Sequence, residues 1–303
     1  MSVLAQALGC EESVVARSIR EAPASPVRGA ADSSWRFLHG LDDDFRRGLT
    51  EELIATWTHT STSLEGNTIG QGDTLFVLRE GLTVNGHSLR EHQEIQGHAH
   101  AIRLMDGLLS RALPLTTTVR HECHRMVQTG VQTDVLAPVG AWKMKNNGTQ
   151  AITSGGGSSW HDYAKPQHVA TLMNQWIALA STLPKREQSD RDAVLDAYTQ
   201  LHLGFAAIHP YADGNGRMAR LLANLPVRRA GYPPLTIAKE SRRRYLQLMG
   251  YFSLACGAPQ PGKPVVPSHP SVKRLKKFFA EEWQGSLAIV QRFFARQRER
   301  GRA

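Results

Sequence analysis

The chain has 303 residues, 41% hydrophobic and 21% charged, enough for one large domain plus an appendage or for two modest domains with a core of normal size. Its net charge of +9 is local: residues 271–303 hold nine Lys/Arg against three Glu, a net of +6, so the main body is nearly balanced and basicity gives no reason to expect nucleic-acid binding there. Three widely spaced cysteines (Cys10, Cys123, Cys256) argue against a disulfide framework, no apolar run reaches the roughly 18 residues of a membrane span, and no basic leader precedes the first apolar stretch, so a cytoplasmic protein without a membrane segment is expected.

Residues 1–33 are polar and rich in Ala, Ser and Pro, with a short helix expected near 11–20. From Asp42 a helical period appears in Phe45, Leu49, Leu53, Ile54 and Trp57, and it stops near Gly66-Asn67. Further helices are predicted over 71–80, 88–110 and 116–128. The segment 138–165 breaks the pattern. Ala141–Lys145 alternates, Thr149–Thr153 is β-prone, and Asn146-Asn147-Gly148 between them is a strong hairpin signal, followed by the flexible Gly155–Ser159. Helices resume over 166–182, 190–208 and 216–229, the last carrying Pro226 inside it, where a kink is expected, and ending at Gly231 with Pro233-Pro234 beyond. A helix over 240–255 and a Pro-rich link follow. The basic tail places Leu275, Phe278, Phe279, Trp283, Leu287, Val290, Phe293 and Phe294 on one face of an amphipathic helix.

The chemistry concentrates in His209-Pro210-Tyr211-Ala212-Asp213-Gly214-Asn215-Gly216-Arg217-Met218-Ala219-Arg220. Gly214-Asn215-Gly216 permits positive φ, so backbone N–H groups can converge on an anion just where a helix N-terminus begins. Arg217 and Arg220, three apart, share a helix face and offer two guanidinium forks to a polyphosphate. Asp213 adds a hard oxygen ligand of the kind that shares Mg²⁺ with a nucleotide, and His209 can accept a hydroxyl proton near neutral pH. Base, metal ligand, anion hole and charge clamp together fit phosphoryl or nucleotidyl transfer.

This segment resembles the signature of the Fic (filamentation induced by cAMP) family, His-Pro-Phe-x-(Asp/Glu)-Gly-Asn-Gly-Arg-x-x-Arg, with Tyr211 in place of Phe; the flanking Arg220–Asn224, Ala230–Pro234 and Tyr245 agree, and the likeness covers about 45–256. The resemblance implies a mainly α, Fic-type helical bundle with one β-hairpin flap, about 140–163, beside the active-site loop. The expected organisation is an N-terminal extension (1–44), the Fic domain (45–256), a linker (257–270) and the basic amphipathic helix (271–303). The implied activity is AMP transfer from ATP, with Mg²⁺, onto a Tyr, Thr or Ser hydroxyl of a protein docked on the flap. In that reading His209 is the base and Asp213 holds Mg²⁺. Gly214, Asn215, Gly216 and Arg217 form the anion hole, and Arg220 meets the γ-phosphate. Ser61-Thr62-Ser63-Leu64-Glu65-Gly66 resembles the family's inhibitory motif, which implies an inhibitory helix over about 50–67 and a Glu65–Arg220 ion pair that restrains the site. Lys143 stands where relatives often carry Arg, and Gly155–Ser159 reads as an insertion near the flap.

Other readings stay open at this level. The same site would serve to remove AMP or to transfer UMP, phosphocholine or phosphate, and a non-enzymatic binding module acting through the tail is a third class. Tyr245 fits adenine contact and core packing about equally, a homodimer is allowed, and the tail reads first as a helix packed on the domain with a wet basic face. His98, His100, His121 and His124 read as packing or surface histidines; His121 and His124 share a helix face.

Overall fold

Capping side chains decide where several helices begin. The computed structural model describes residues 36–130, 134, 136–153, 157–182 and 190–302, so the helix expected near 11–20 lies outside the described residues. Helices α1 (Asp43–Ser63), α2 (Gln71–Glu80), α3 (Leu89–Ser110) and α4 (Thr117–Val127) come first. Ser88 opens α3 with a reciprocal capping box to Glu91, and Thr116 caps α4 through the Val119 amide. After the hairpin strands β1 (Gly148–Ile152) and β2 (Ser158–Asp162) come α5 (Pro166–Thr182), α6 (Arg191–Ile208), α7 (Asn215–Leu222), α8 (Leu225–Arg229), α9 (Arg242–Cys256) and α10 (Pro270–Arg300). The result is a mainly α bundle with one antiparallel two-stranded sheet.

Two expectations are corrected. Asn147-Gly148 is not the hairpin turn: Gly148 already pairs with Asp162, Ile152 pairs with Ser158, and the Gly-rich stretch connects the strands. Ala141–Lys145 forms no strand, and its central amide turns to the neighbouring loop instead. The Lys143 amide donates to the Pro210 carbonyl (2.9 Å), and the Asn147 amide donates to the Tyr211 carbonyl (3.0 Å). The helix expected over 216–229 is two helices. Pro226 cannot donate to the preceding turn, and it falls at the start of α8, where the missing donor costs nothing. Asn224 bridges the break, donating to the carbonyls of Arg220 and Leu235 and accepting from the Leu235 amide.

The core runs through α3–α7 and α9 and includes Trp176, Tyr198, Leu201, Phe205, Met218 and Leu222. The first half of α10 joins it with Leu275, Phe278, Phe279 and Trp283, whose indole donates to the Pro233 carbonyl (2.9 Å). The second half packs Ile289 and Phe293 against Leu49 and Leu53 of α1. Ion pairs from Arg292 to Glu52 and from Arg300 to Asp42 and Asp44 rim this contact. The tail helix therefore sets where α1 lies, and α1 delivers Ser61 and Glu65 to the site. Among the described residues no helix is long and apolar enough to cross a membrane.

Candidate active site

The loop between α6 and α7 gathers the groups singled out in the sequence. His209 caps α6 in the left-handed region (φ 52°), an unusual place for a side chain with a Cβ, and its amide closes the helix on Phe205. Its Nδ1 lies 3.2 Å from the Ala206 carbonyl. A carbonyl only accepts, so Nδ1 carries the proton and Nε2 keeps its lone pair. Burial pushes the imidazole below its ordinary pKa, and Lys143 adds to the shift, so the ring is neutral at pH 7.

Reciprocal hydrogen bonds hold the loop. The Asn215 side chain accepts from the Tyr211 amide and donates to the Tyr211 carbonyl, both at 2.9 Å. Tyr211 is fully buried and stacks on His124 at 3.7 Å between centroids. His124 accepts from the Gly140 amide at Nδ1 and donates from Nε2 to the Asp213 carbonyl, which settles its tautomer. The Asp213 carboxylate is exposed. Burial of its surroundings favours the neutral acid, but hydrogen bonds from the Gly214 amide and the Gln128 side chain, with Arg217 nearby, hold it ionised below the usual carboxylate value.

Gly214 adopts φ 74°, and a Cβ there would come within 2.7 Å of the Gln128 side chain, so both conformation and space favour glycine. Helix α7 starts at once, leaving the amides of Asn215, Gly216 and Arg217 without intrahelical acceptors and the positive end of the helix facing the loop. Arg217 lies buried beneath this end, donating to the Val127 carbonyl (2.8 Å) and to Gln128 (2.9 Å); it braces the site from behind.

A carboxylate already occupies the front. Glu65 Oε1 accepts from Arg220 at 2.6 Å and lies so close to Gly216 that a Cβ there would come within 2.5 Å of it. Its oxygen stands over a helix N-terminus and beside a guanidinium, the environment that phosphate oxygens favour. Arg220 also donates to the Ser61 hydroxyl (3.1 Å) and carbonyl (2.9 Å), and it bonds to the Tyr245 hydroxyl, which in turn meets His202 Nε2 at 2.9 Å. Tyr245 is buried, so its ring is core and its hydroxyl helps aim Arg220. The turn bearing Glu65 is fixed by Arg242, which donates to the Leu64 carbonyl (2.8 Å), and Gly66 follows with φ 106°.

The structure thus brings His209, Asp213, Gly214, Asn215, Gly216, Arg217 and Arg220 into one loop and helix turn, with Ser61, Glu65 and Tyr245 packed on Arg220. Sequence reading missed Gln128, His124 and Tyr163. Gln128 ends α4 in no motif; the His121/His124 spacing was the available signal, since that shared face meets Tyr211 through the His121 ring nitrogen (3.2 Å) and the His124 stack. Tyr163 directly follows β2, and its ring stacks on His209 at 3.7 Å.

A family model described as Fic/DOC matches residues 114–227. The protein adenylyltransferase Fic of Drosophila mojavensis is 31% identical over 212 residues, 70% of this chain and 39% of that protein. The protein adenylyltransferase fic-1 of Caenorhabditis elegans is 29% identical over 259 residues, 81% of this chain and 46% of that protein. The chain spans less than half the length of these curated relatives. Among solved structures, a Fic-domain-containing signalling protein from Bacteroides thetaiotaomicron shares the fold with a TM-score of 0.68 at 23% identity, covering 90% of this chain and 97% of the other. Fic-1 of C. elegans shares it with a TM-score of 0.61 at 22% identity, covering 97% and 76%. Residues 114–227, which carry the whole loop from His209 to Arg220, form a domain of the Fic/DOC family.

Proposed function

We propose that the chain transfers AMP from ATP to a hydroxyl side chain of a protein target and that Glu65 restrains it. The observation that carries this reading is the Glu65–Arg220 pair at 2.6 Å, lying over the first turn of α7 with the neutral His209 at the other end of the same loop. The names of the curated relatives, protein adenylyltransferase, support AMP as the group moved.

In the transfer, His209 Nε2 takes the proton of the target hydroxyl. The hydroxyl oxygen bonds to the α-phosphorus, the bond from that phosphorus to the bridging oxygen breaks, and pyrophosphate leaves. The N-terminal amides of α7 face the charge that develops on the phosphate oxygens, and Arg220 meets the γ-phosphate once Glu65 releases it. Asp213 fits Mg²⁺: it is one exposed, ionised carboxylate, and Mg²⁺ bound to nucleotide takes its remaining ligands from phosphates and water. Bound there, Mg²⁺ would neutralise the phosphates. The exposed β2 edge bearing Trp160 would line up the target segment by strand pairing.

The test is to incubate Glu65→Gly with radiolabelled ATP, Mg²⁺ and a cell lysate. Labelled protein bands that vanish on adding His209→Ala to the same chain are expected. Equal labelling without His209 would overturn the mechanism. Loss of AMP from a pre-modified target with wild type, but not with Glu65→Gly, would assign removal in place of transfer.

A further inference from the structure

The base needs more than a neutral ring; it needs a fixed one. His209 has a single hydrogen bond at Nδ1, which sets a pivot but leaves the imidazole free to turn about it. What stops the turn is Tyr163. The two rings are parallel within 5°, with centroids 3.7 Å apart. We propose that Tyr163 is a positioning residue for His209, setting the plane of the imidazole and tying that plane to the root of the hairpin. This rests on His209 being the base of the transfer described above.

Tyr163 is itself held from several sides. Its amide donates to the Asn147 carbonyl (3.1 Å), closing the open end of the hairpin just outside the β1–β2 ladder. Its hydroxyl bonds to Thr149 on β1. The His161 ring meets it edge-on at 5.1 Å, and Lys143 Nζ lies 6.0 Å from its ring centroid. Asn147 in turn donates to the Tyr211 carbonyl and accepts from Lys143 Nζ (2.6 Å), while the Lys143 amide donates to Pro210. The hairpin root is therefore bonded to the loop at Pro210 and Tyr211 and stacked on it at His209. A target strand added to this hairpin lies in register with Nε2 because one side chain belongs to both.

The stack also acts on charge. The neighbours that bear charge on His209 are Lys143 on the segment before β1, Glu65 after α1 and Asp213 on its own loop. Lys143 disfavours the imidazolium, the two carboxylates favour it, and the phenol ring covers one face of the imidazole and keeps water from it. When Nε2 takes the target's proton, the imidazolium that forms lies flat on an aromatic face, an arrangement that stabilises a cation.

The experiment compares Tyr163→Phe and Tyr163→Leu, each in the Glu65→Gly chain. The phenylalanine keeps the stacked ring and should hold kcat within about threefold. The leucine keeps bulk but loses the plane and should lower kcat about 10- to 100-fold, the cost of a misaligned reacting group, with the KM for ATP within about threefold. Leucine that retains kcat, or phenylalanine that loses as much as leucine, would overturn the proposal. NMR of histidine-labelled protein decides it without turnover. The His209 ring protons should carry an upfield ring-current shift that survives Tyr163→Phe and is lost in Tyr163→Leu; a folded parent chain showing no such shift would refute the stack directly. If Glu65→Gly transfers nothing, the transferase reading fails while the NMR result still decides whether Tyr163 fixes the His209 ring by stacking.

Discussion

Replacing Glu65 by glycine should release the site, and the size of the release follows from the pair it breaks. Arg220 keeps 4% of its side chain exposed and Glu65 keeps 41%, joined at 2.6 Å. A hydrogen bond to a charged group contributes about 1.5–3 kcal/mol, and the open side of Glu65 places this one near the lower end, about 2 kcal/mol after solvent screening. At about 1.4 kcal/mol per tenfold, a ligand that must displace Glu65 to reach Arg220 loses about 30-fold. Glu65→Gly should thus raise kcat/KM for ATP about 30-fold, measured as initial rates of label incorporation over a range of ATP concentrations. Glu65→Gln, which keeps a neutral contact, should fall between. A glycine variant that is folded and binds ATP, yet turns over within threefold of wild type, would refute the idea that Arg220 is the contested group.

Other consequences are open to measurement. Asp213→Asn should shift the Mg²⁺ dependence of transfer to higher concentration while leaving thermal stability within about 1 kcal/mol, since the carboxylate is exposed; unchanged Mg²⁺ dependence would remove Asp213 from metal binding. Trp283→Ala deletes a fully buried ring and its bond to Pro233, and should cost about 3–5 kcal/mol, read as a lowered urea midpoint. Burial raises the Glu65 pKa, but Arg220 outweighs it and holds the carboxyl below its ordinary 4.5. A depressed folded-state pKa contributes stability that is fully present above the unfolded value and is lost as pH falls through the folded one. The stability gap between wild type and Glu65→Gln should therefore be constant from pH 8 to about 5.5 and close below about 4.5; a gap that closes near pH 7 would contradict the pairing.

Much of this was readable in the sequence because the informative features are local. The helical periods placed α1 to α6 to within a few residues, and His209–Arg220 is contiguous, so its chemistry could be read before any folding. The misreadings arose where long-range contacts overrode local preference. Asn147-Gly148 has the composition of a tight turn, yet Asn147 is engaged by Tyr211, 64 residues away, and Gly148 already pairs with Asp162 at the open end of the hairpin. Pro226 was expected to bend one helix and begins a second. The brace formed by Gln128 and Arg217, 89 positions apart, and the Tyr163 stack on His209 depend on elements brought together by the fold, and no spacing rule announces them.

The central claim concerns which bond of ATP breaks. Glu65→Gly should be supplied in parallel with ATP labelled at the α-phosphate and ATP labelled at the γ-phosphate, with a lysate and Mg²⁺, and the protein bands read by autoradiography. Label from the α-position and none from the γ-position, abolished by His209→Ala, is the result expected of AMP transfer. Label from the γ-position, or α-label that persists without His209, would contradict it.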